Sequence, residues 1–196
     1  MKDFPSLVSS KKIFPLTRWL MLLVLFATAA RTAETLLGKP APDWSVTHWI
    51  NSAPRQLPEM KGKVVLVRWW MAPGCPYCFA TAPALNEFYT QYREQGLEVL
   101  GFYHHKSAAP FDLNVVKQYT RRFGFEFPVA VDLDWRTLKQ WWLNQGGAQW
   151  TSVSFLLDRE GIVRFIHPGG KYVKGDADYR ALKAKIEELL AAKGAP

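Results

Sequence analysis

Cysteine is scarce in this 196-residue sequence, which contains only two, Cys75 and Cys78. Because just two residues separate them, they cannot staple distant parts of the chain, and the fold must be held by its core. A zinc site built on four cysteines is excluded for the same reason. The two cysteines therefore serve either sulfur chemistry or a metal site completed by other residue types.

Long hydrophobic runs are also lacking, since crossing a bilayer takes about 20 apolar residues. An apolar stretch near the N-terminus, residues 19–30, has only 12 uncharged residues and follows a basic segment that ends at Arg18. Ala27 and Ala29 fit a small-residue cleavage site. We expect residues 1–33 to be a signal peptide or an N-terminal membrane anchor, and the remainder to be an exported domain.

Outside this leader, the sequence has no dense stripe of Lys and Arg residues. Residues 1–33 carry five basic and one acidic side chain, and the rest of the chain carries 20 basic and 16 acidic ones, so each part contributes +4. Without a concentrated basic footprint, nucleic-acid binding is not expected.

Apolar periodicity and turn residues predict one α/β domain. We expect strands at 44–50, 64–70, 97–103, 127–131, 153–157 and 162–167, and helices at 75–95, 112–123, 134–143 and 176–190, capped by Asp112, by Asp134 and by Asp176 or Asp178. Gly146–Gly147 marks a loop. Strands separated by helices pair in parallel, whereas the last two form an antiparallel hairpin. The order predicts a mixed central sheet with helices on both faces.

The motif Cys75-Pro-Tyr-Cys78 falls where a central strand meets a helix. Two intervening residues on a first helical turn place the sulfurs within bonding reach, and the helix N-terminus favours negative charge on Cys75. Cys75 would attack a substrate disulfide, and the more shielded Cys78 would resolve the mixed disulfide. Pro76 suits the first helical turn, while Tyr77 either packs or tunes the potential and partner contacts of the cysteines.

Three stretches of the chain resemble the thioredoxin superfamily, specifically its exported TlpA/ResA-like branch. The stretch 38–44 resembles the family opening, 61–67 with Trp70 and the CPYC motif resembles the strand into the active-site helix, and 155–161 resembles the closing hairpin. The resemblance spans nearly all of residues 36–190. It implies a thioredoxin fold for residues 34–196.

The same resemblance implies a thiol–disulfide oxidoreductase that needs no cofactor beyond a redox-active Cys75–Cys78 disulfide. Its partners would be protein thiols and disulfides of the cell envelope, with a membrane-bound redox donor. The location would be periplasmic or otherwise extracytoplasmic, with membrane attachment through residues 19–30 as one form.

The sequence departs from the family pattern around the motif. Gly74 stands where the family has tryptophan, and Arg68 aligns with a buried polar or acidic residue beneath the disulfide. An arginine there stabilises thiolate but cannot accept a proton; alternatively, its head group reaches water. Ser152 occupies the place of the family's cis-proline. Because a non-proline cis bond costs about 2.5–4 kcal/mol, we expect Thr151–Ser152 to be trans.

Histidines supply the competing hypothesis of a copper- or zinc-binding protein. His104 and His105 end the strand 97–103, so either could join Cys75 and Cys78 as a ligand, although they could equally be a polar strand end. We expect His167 to lie at the surface. A peroxidase of the peroxiredoxin type is the third class, but it would have threonine where this chain has Ala72.

Overall fold

The computed structural model describes residues 35–145 and 150–192. The predicted leader, residues 1–33, and the predicted loop at Gly146–Gly147 lie outside these residues. The described part forms a six-stranded mixed sheet with four helices. The strands are β1 (His48–Ile50), β2 (Val64–Trp70), β3 (Leu97–Tyr103), β4 (Val129–Val131), β5 (Ser154–Leu157) and β6 (Val163–His167), and the helices are α1 (Pro76–Tyr92), α2 (Leu113–Arg122), α3 (Arg136–Trp141) and α4 (Ala177–Ala191).

The sheet has the order β1-β4-β3-β2-β5-β6. Strands β2, β3 and β4 pair in parallel, as expected for strands joined through helices, and β5–β6 is the predicted antiparallel hairpin. Strand β1 pairs antiparallel with β4 at the edge of the sheet. The predicted order of elements and the mixed sheet are confirmed.

Strand β2 is buried along all seven residues, because helices cover both faces of the sheet at its centre. Its alternate side chains Val64, Leu66 and Trp70 pack with α1, α2 and α4. The intervening Val65, Val67 and Trp69 pack with α3 on the opposite face. Since α1 follows β2, the CPYC motif lies beyond the carboxyl end of a strand that is buried along its whole length.

The helix starts follow the predicted caps with one exception. Asp112 and Asp176 accept hydrogen bonds from backbone N–H groups of α2 and α4 through their side chains. For α3 the N-cap position belongs to Trp135, with φ of 61°, and not to the predicted Asp134. The Asp134 carboxylate still accepts from the N–H of Arg136 (3.1 Å), at the start of the helix. The carboxylate of Asp132, directly after β4, accepts from the next N–H groups, those of Thr137 (3.1 Å) and Leu138 (2.7 Å).

The edge strand is shorter than predicted, at three residues instead of residues 44–50. It can pair only as far as its partner β4 extends, and β4 also has three residues. Within residues 35–145 and 150–192, no helix is both long enough and apolar enough to span a membrane.

Candidate active site

Cys75 and Cys78 form a disulfide at the start of α1, with a Cα–Cα distance of 5.3 Å. Cys75 is the N-cap residue, and its Sγ accepts a hydrogen bond of 3.0 Å from the backbone N–H of Cys78. Pro76 follows at the first helical position, where its missing N–H leaves no gap in the hydrogen-bond ladder. The Cys75 Sγ thus already faces a donor that stabilises negative charge on sulfur.

The two sulfurs differ in accessibility. Cys78 is buried at 2% exposure within the core on the α1 face, whereas Cys75 is half-buried and lines the surface. An incoming sulfur can therefore approach Cys75, and Cys78 is shielded behind it. The assignment of Cys75 as the attacking sulfur and Cys78 as the resolving one stays a prediction.

Two grooves meet at Cys75 and share Met71, Gly74 and Pro76. One, here called the Trp150 groove, continues over Tyr77, Lys106, Trp150, Thr151 and Ser152. The other, here called the Phe79 groove, continues over Phe79, Tyr119, Arg122 and Phe123. The predicted site residues Tyr77, Thr151 and Ser152 are therefore brought together beside Cys75.

The wall of the Trp150 groove is tied to the loop after β6. Ser152 Oγ accepts from the backbone N–H of Gly170 (3.1 Å) and lies 3.4 Å from the Gly170 carbonyl oxygen. That carbonyl also accepts from Nη2 of Arg68 at 2.7 Å. Ser152, at the position expected for a cis-proline, is therefore anchored through Gly170 to Arg68. The Thr151–Ser152 bond is trans, as predicted; within the described ranges the one cis bond joins Ala72 and Pro73.

Arg68 is buried, at 1% exposure, so the alternative with its head group in water is wrong. Its guanidinium also donates to Ser154 Oγ (3.3 Å) and lies 5.2 Å from the centroid of the Tyr172 ring. No carboxylate of the described residues pairs with it, and its Nε has no hydrogen-bond partner. Burial lowers the pKa of Arg68 from its usual value, but an arginine stays protonated at neutral pH.

Arg68 lies on the same face of the sheet as the cysteines. Side chains alternate along β2, so Arg68 points to the face where Leu66 and Trp70 pack with Cys78. Tyr172, above the guanidinium, donates its backbone N–H to the hydroxyl of Thr81, one helical turn after Cys78 (3.3 Å). A buried positive charge thus lies beneath the first turns of α1.

The two candidate metal-binding histidines are not gathered around the cysteines. His104 is buried with its ring against Trp135, and neither ring nitrogen has a hydrogen-bond partner. His105 lies 3.0 Å from the Tyr103 hydroxyl through Nδ1, and its Nε2 donates to the carbonyl oxygen of Ala109. Across residues 35–145 and 150–192, no cluster of three or more His, Cys, Asp or Glu side chains is placed to hold a metal ion.

A protein-family model described as the AhpC/TSA family matches residues 37–166, more than half of the chain. The chain belongs to the AhpC/TSA family. The matched segment includes the CPYC motif and the residues that line both grooves, whereas Gly170 and Tyr172, which contact Ser152 and Arg68, lie beyond it.

Relatives within this family include named thiol–disulfide oxidoreductases. ResA of Bacillus cereus is 31% identical over 154 residues, which make up 79% of this chain and 76% of ResA. ResA of Geobacillus thermodenitrificans is 29% identical over 181 residues, covering 88% of this chain and 94% of that protein. The chain therefore belongs among the ResA-like thiol–disulfide oxidoreductases, as its resemblance predicts.

A longer relative matches over part of its length only. Protein DipZ of Mycobacterium tuberculosis is 30% identical over 154 residues, which are 76% of this chain. The chain spans only 20% of the length of DipZ.

Solved structures confirm the thioredoxin-like fold of this AhpC/TSA family member. A thiol-disulfide isomerase from Corynebacterium glutamicum has a TM-score of 0.61 at 25% identity, over 78% of this chain and 98% of that one. A thioredoxin family protein from Chlorobium tepidum has a TM-score of 0.61 at 21% identity, over 78% and 96% of the two chains.

Several residues around the disulfide are not among the site residues predicted from the sequence. They are Phe79, Lys106, Arg122, Trp150, Gly170 and Tyr172. Phe79 alone had a sequence signal, because a residue four after an exposed helix start lies on the same exposed side. The other five residues come close to the disulfide only when the chain folds, so no local sequence pattern indicates them.

His167 is buried, at 4% exposure, and the expectation that it lies at the surface is wrong. Its ring packs against that of Tyr172.

Proposed function

We propose that the protein is an exported thiol–disulfide oxidoreductase that exchanges electrons with protein thiols and disulfides of the cell envelope. The observation that carries this proposal is the disulfide at the start of α1, with one accessible and one buried sulfur. A disulfide at a groove junction, unlike one inside a core, can be reached by a second polypeptide.

The reaction of the oxidised protein begins at Cys75. A substrate thiolate attacks Cys75 Sγ, the Cys75–Cys78 bond breaks, and Cys78 leaves as a thiolate that takes up a proton. A second substrate thiolate then attacks the substrate sulfur of the mixed disulfide and releases Cys75. The substrate dithiol has become a disulfide, and two electrons now reside on the protein's dithiol. Run in reverse, the same steps reduce a substrate disulfide.

Three features support these roles. The N–H of Cys78 and the helix N-terminus favour the Cys75 thiolate as attacking and leaving group. The buried cation of Arg68 favours negative charge near the buried end of the disulfide. Tyr77, Thr151 and Ser152 form the wall along which a substrate chain lies next to Cys75.

The cellular setting belongs to the same proposal. A leader at residues 1–33, either cleaved or retained as an anchor through residues 19–30, would place the domain on the extracytoplasmic side. There a membrane-bound donor or acceptor of electrons would reset the cysteines after each turnover. N-terminal sequencing of the protein recovered from the envelope fraction separates a cleaved leader from a retained anchor.

Single-cysteine variants test the chemistry. Cys78→Ser leaves Cys75 without its resolving thiol, so it should accumulate mixed disulfides with partner proteins, which alkylation and mass spectrometry detect. Cys75→Ser is the matched control and should trap none. Equal trapping by both variants, or a wild-type pair that never bridges at any glutathione poise, would contradict the proposal.

The reduction potential assigns the direction of electron flow. A value near that of thioredoxin, about −270 mV, indicates a reductant, and one near −120 mV indicates an oxidant.

Elemental analysis of protein purified without chelator tests the metal-binding alternative, and peroxide consumption with a dithiol donor tests the peroxidase alternative.

A further inference from the structure

Exposed aromatic side chains concentrate around Cys75. Of the large hydrophobic side chains in the described residues, five are more than a third exposed, and three of them are Tyr77, Phe79 and Trp150. Tyr77 and Trp150 contact each other edge to face at 5.5 Å and belong to the Trp150 groove. Phe79, at 58% exposure, lies on the other side of Cys75 and belongs to the Phe79 groove.

The Phe79 groove is built from rings. Phe79 contacts Phe123 edge to face at 5.9 Å, and Tyr119 contacts Phe123 at 6.0 Å. The groove lies between the first turn of α1 and the last turns of α2, so its two sides belong to separate helices. Phe79 supplies the exposed apolar surface of the groove, at 58% exposure, and covering it with an apolar side chain gains free energy.

The charge along both grooves has one sign. Arg122 lies at the rim of the Phe79 groove and Lys106 in the Trp150 groove, and none of the described carboxylates lines either groove. Arg122 stacks on the Tyr119 ring at 5.9 Å and forms no ion pair with the described residues. A cation held over an aromatic surface without a counter-ion is complementary to a carboxylate beside an apolar side chain.

We propose that the Phe79 groove binds the substrate polypeptide on one side of its reacting cysteine, and selects an apolar or aromatic residue next to an acidic one. This inference rests on the proposed function and names its substrate class. A strand-like segment advances about 3.3 Å per residue, so residues one to three positions from a cysteine bound at Cys75 reach the groove. The aromatic residue covers Phe79, and the carboxylate pairs with Arg122.

Short dithiol peptides test the selection with the full-length oxidised protein. One peptide carries Phe-Glu beside its first cysteine, a second carries Phe-Lys, and a third carries Ala-Glu. The peptide dithiol becomes a disulfide as the Cys75–Cys78 disulfide becomes a dithiol, and chromatography follows the second-order rate constant. We expect the Phe-Glu peptide to react about fivefold faster than the Phe-Lys peptide, since exposed ion pairs are worth up to about 1 kcal/mol.

Matched variants locate the effect in the groove. Arg122→Glu should reverse the preference between the Phe-Glu and Phe-Lys peptides, whereas Arg121→Glu, an equal charge change on an exposed neighbour that lines neither groove, should retain it. Phe79→Ala should remove the advantage of the Phe-Glu peptide over the Ala-Glu peptide. The readout in each variant is the ratio of the peptide rate constants, so a general change in the reactivity of Cys75 cancels. The rate with dithiothreitol should stay the same in Arg121→Glu, because this residue lines neither groove.

The outcomes separate the two proposals. An unchanged peptide preference in Arg122→Glu, or an equal loss in Arg121→Glu, overturns the docking surface and leaves the oxidoreductase intact. A wild-type protein that reacts with neither the peptides nor dithiothreitol contradicts the proposed function itself.

Discussion

Arg68 is a buried cation that has hydrogen bonds but no counter-ion among the described residues. The Gly170 carbonyl, the Ser154 hydroxyl and the face of Tyr172 compensate part of the free-energy cost of removing its guanidinium from water. The remaining free-energy cost of burying the guanidinium becomes smaller when a negative charge appears nearby. Because the thiolates of the reduced protein are such charges and the disulfide is neutral, Arg68 should favour the reduced state.

Arg68→Met should therefore lower the reduction potential of the Cys75–Cys78 disulfide. A loss of about 1.4 kcal/mol of thiolate stabilisation corresponds to about 30 mV for this two-electron couple. Equilibration with glutathione followed by alkylation measures the reduction potential of the Cys75–Cys78 disulfide. Ser154→Ala is the control, since it removes one hydrogen bond to Arg68 and keeps the charge. A potential that does not move in Arg68→Met, or that moves equally in Ser154→Ala, would show that the charge has no such role.

The sequence predicts where a residue such as Arg68 lies on its strand better than it predicts which groups surround that residue. Counting along β2 puts Arg68 on the same face as Leu66 and Trp70, because the alternation of side chains along a strand is a local property. The burial of Arg68 depends on Gly170 and Tyr172, which are about one hundred residues away in the chain. No periodicity in the strand itself indicates that these groups meet.

Among the elements, the segment 150–152 and the loop 169–170 depend on each other. Ser152 is hydrogen-bonded to Gly170, and Trp150 packs directly on Gly169. A Cβ at Gly169 would lie 2.2 Å from the Cβ of Trp150, closer than any real contact, whereas a Cβ at Gly170 would meet nothing within 4 Å. Both glycines have positive φ, 126° and 82°. Gly169 differs from Gly170 in the steric contact and also in lying farther from the left-handed region that L residues adopt.

Gly169→Ala should displace Trp150 and open the groove wall beside Cys75. We expect it to lower the free energy of unfolding by about 2–3 kcal/mol, against about 1 kcal/mol for Gly170→Ala, which adds backbone strain alone. Urea denaturation measures both. The rate with a protein substrate should fall further in Gly169→Ala than the rate with dithiothreitol. Equal costs for the two variants would mean that Trp150 does not depend on the missing Cβ.

Elements with strong local signals were predictable, and elements defined by their neighbours were not. The buried run of β2 and the cap Asp176 follow from the sequence. The sequence predicts that the active-site helix reaches residue 95; α1 ends at Tyr92, and a 3-10 turn, Arg93–Gln95, continues to the C-cap Gly96, which has φ of 100°. The length of β1 is set by β4, and the cap of α3 by Asp132, a buried carboxylate that arrives from the preceding strand. Both outcomes are decided by pairing and packing across the fold.

For the molecule as a whole, buried ionisable groups couple folding to pH. Burial lowers the pKa of His104 to about 3; the nearby Lys106, Arg68 and His105 act in the same direction, and the backbone of Trp70 opposes them. Burial lowers the pKa of His167 as well, and Asp178 opposes this shift. Burial raises the pKa of Asp132. Protonation of this carboxyl as pH falls therefore favours the folded protein, which is opposite to the effect of the two histidines.

The sign for His104 follows from proton binding. An unfolded histidine has a pKa near 6.5, so between that value and about 3 the unfolded chain binds a proton that the folded chain excludes. Unfolding therefore becomes easier as pH falls through this window, and this contribution is lost progressively below about pH 6.5. The slope that one such group adds to the free energy of unfolding as a function of pH is at most about 1.4 kcal/mol per pH unit.

His104→Leu should flatten that slope, because a leucine of similar size keeps the contact with Trp135 and binds no proton. Urea denaturation between pH 7 and pH 5 measures the free energy of unfolding for both proteins, and the difference between them should grow as pH falls. His48→Gln changes an exposed histidine and should leave the wild-type slope intact. If His104→Leu keeps the full slope, His104 is not the group that ties folding to pH, and His167 becomes the group to replace next.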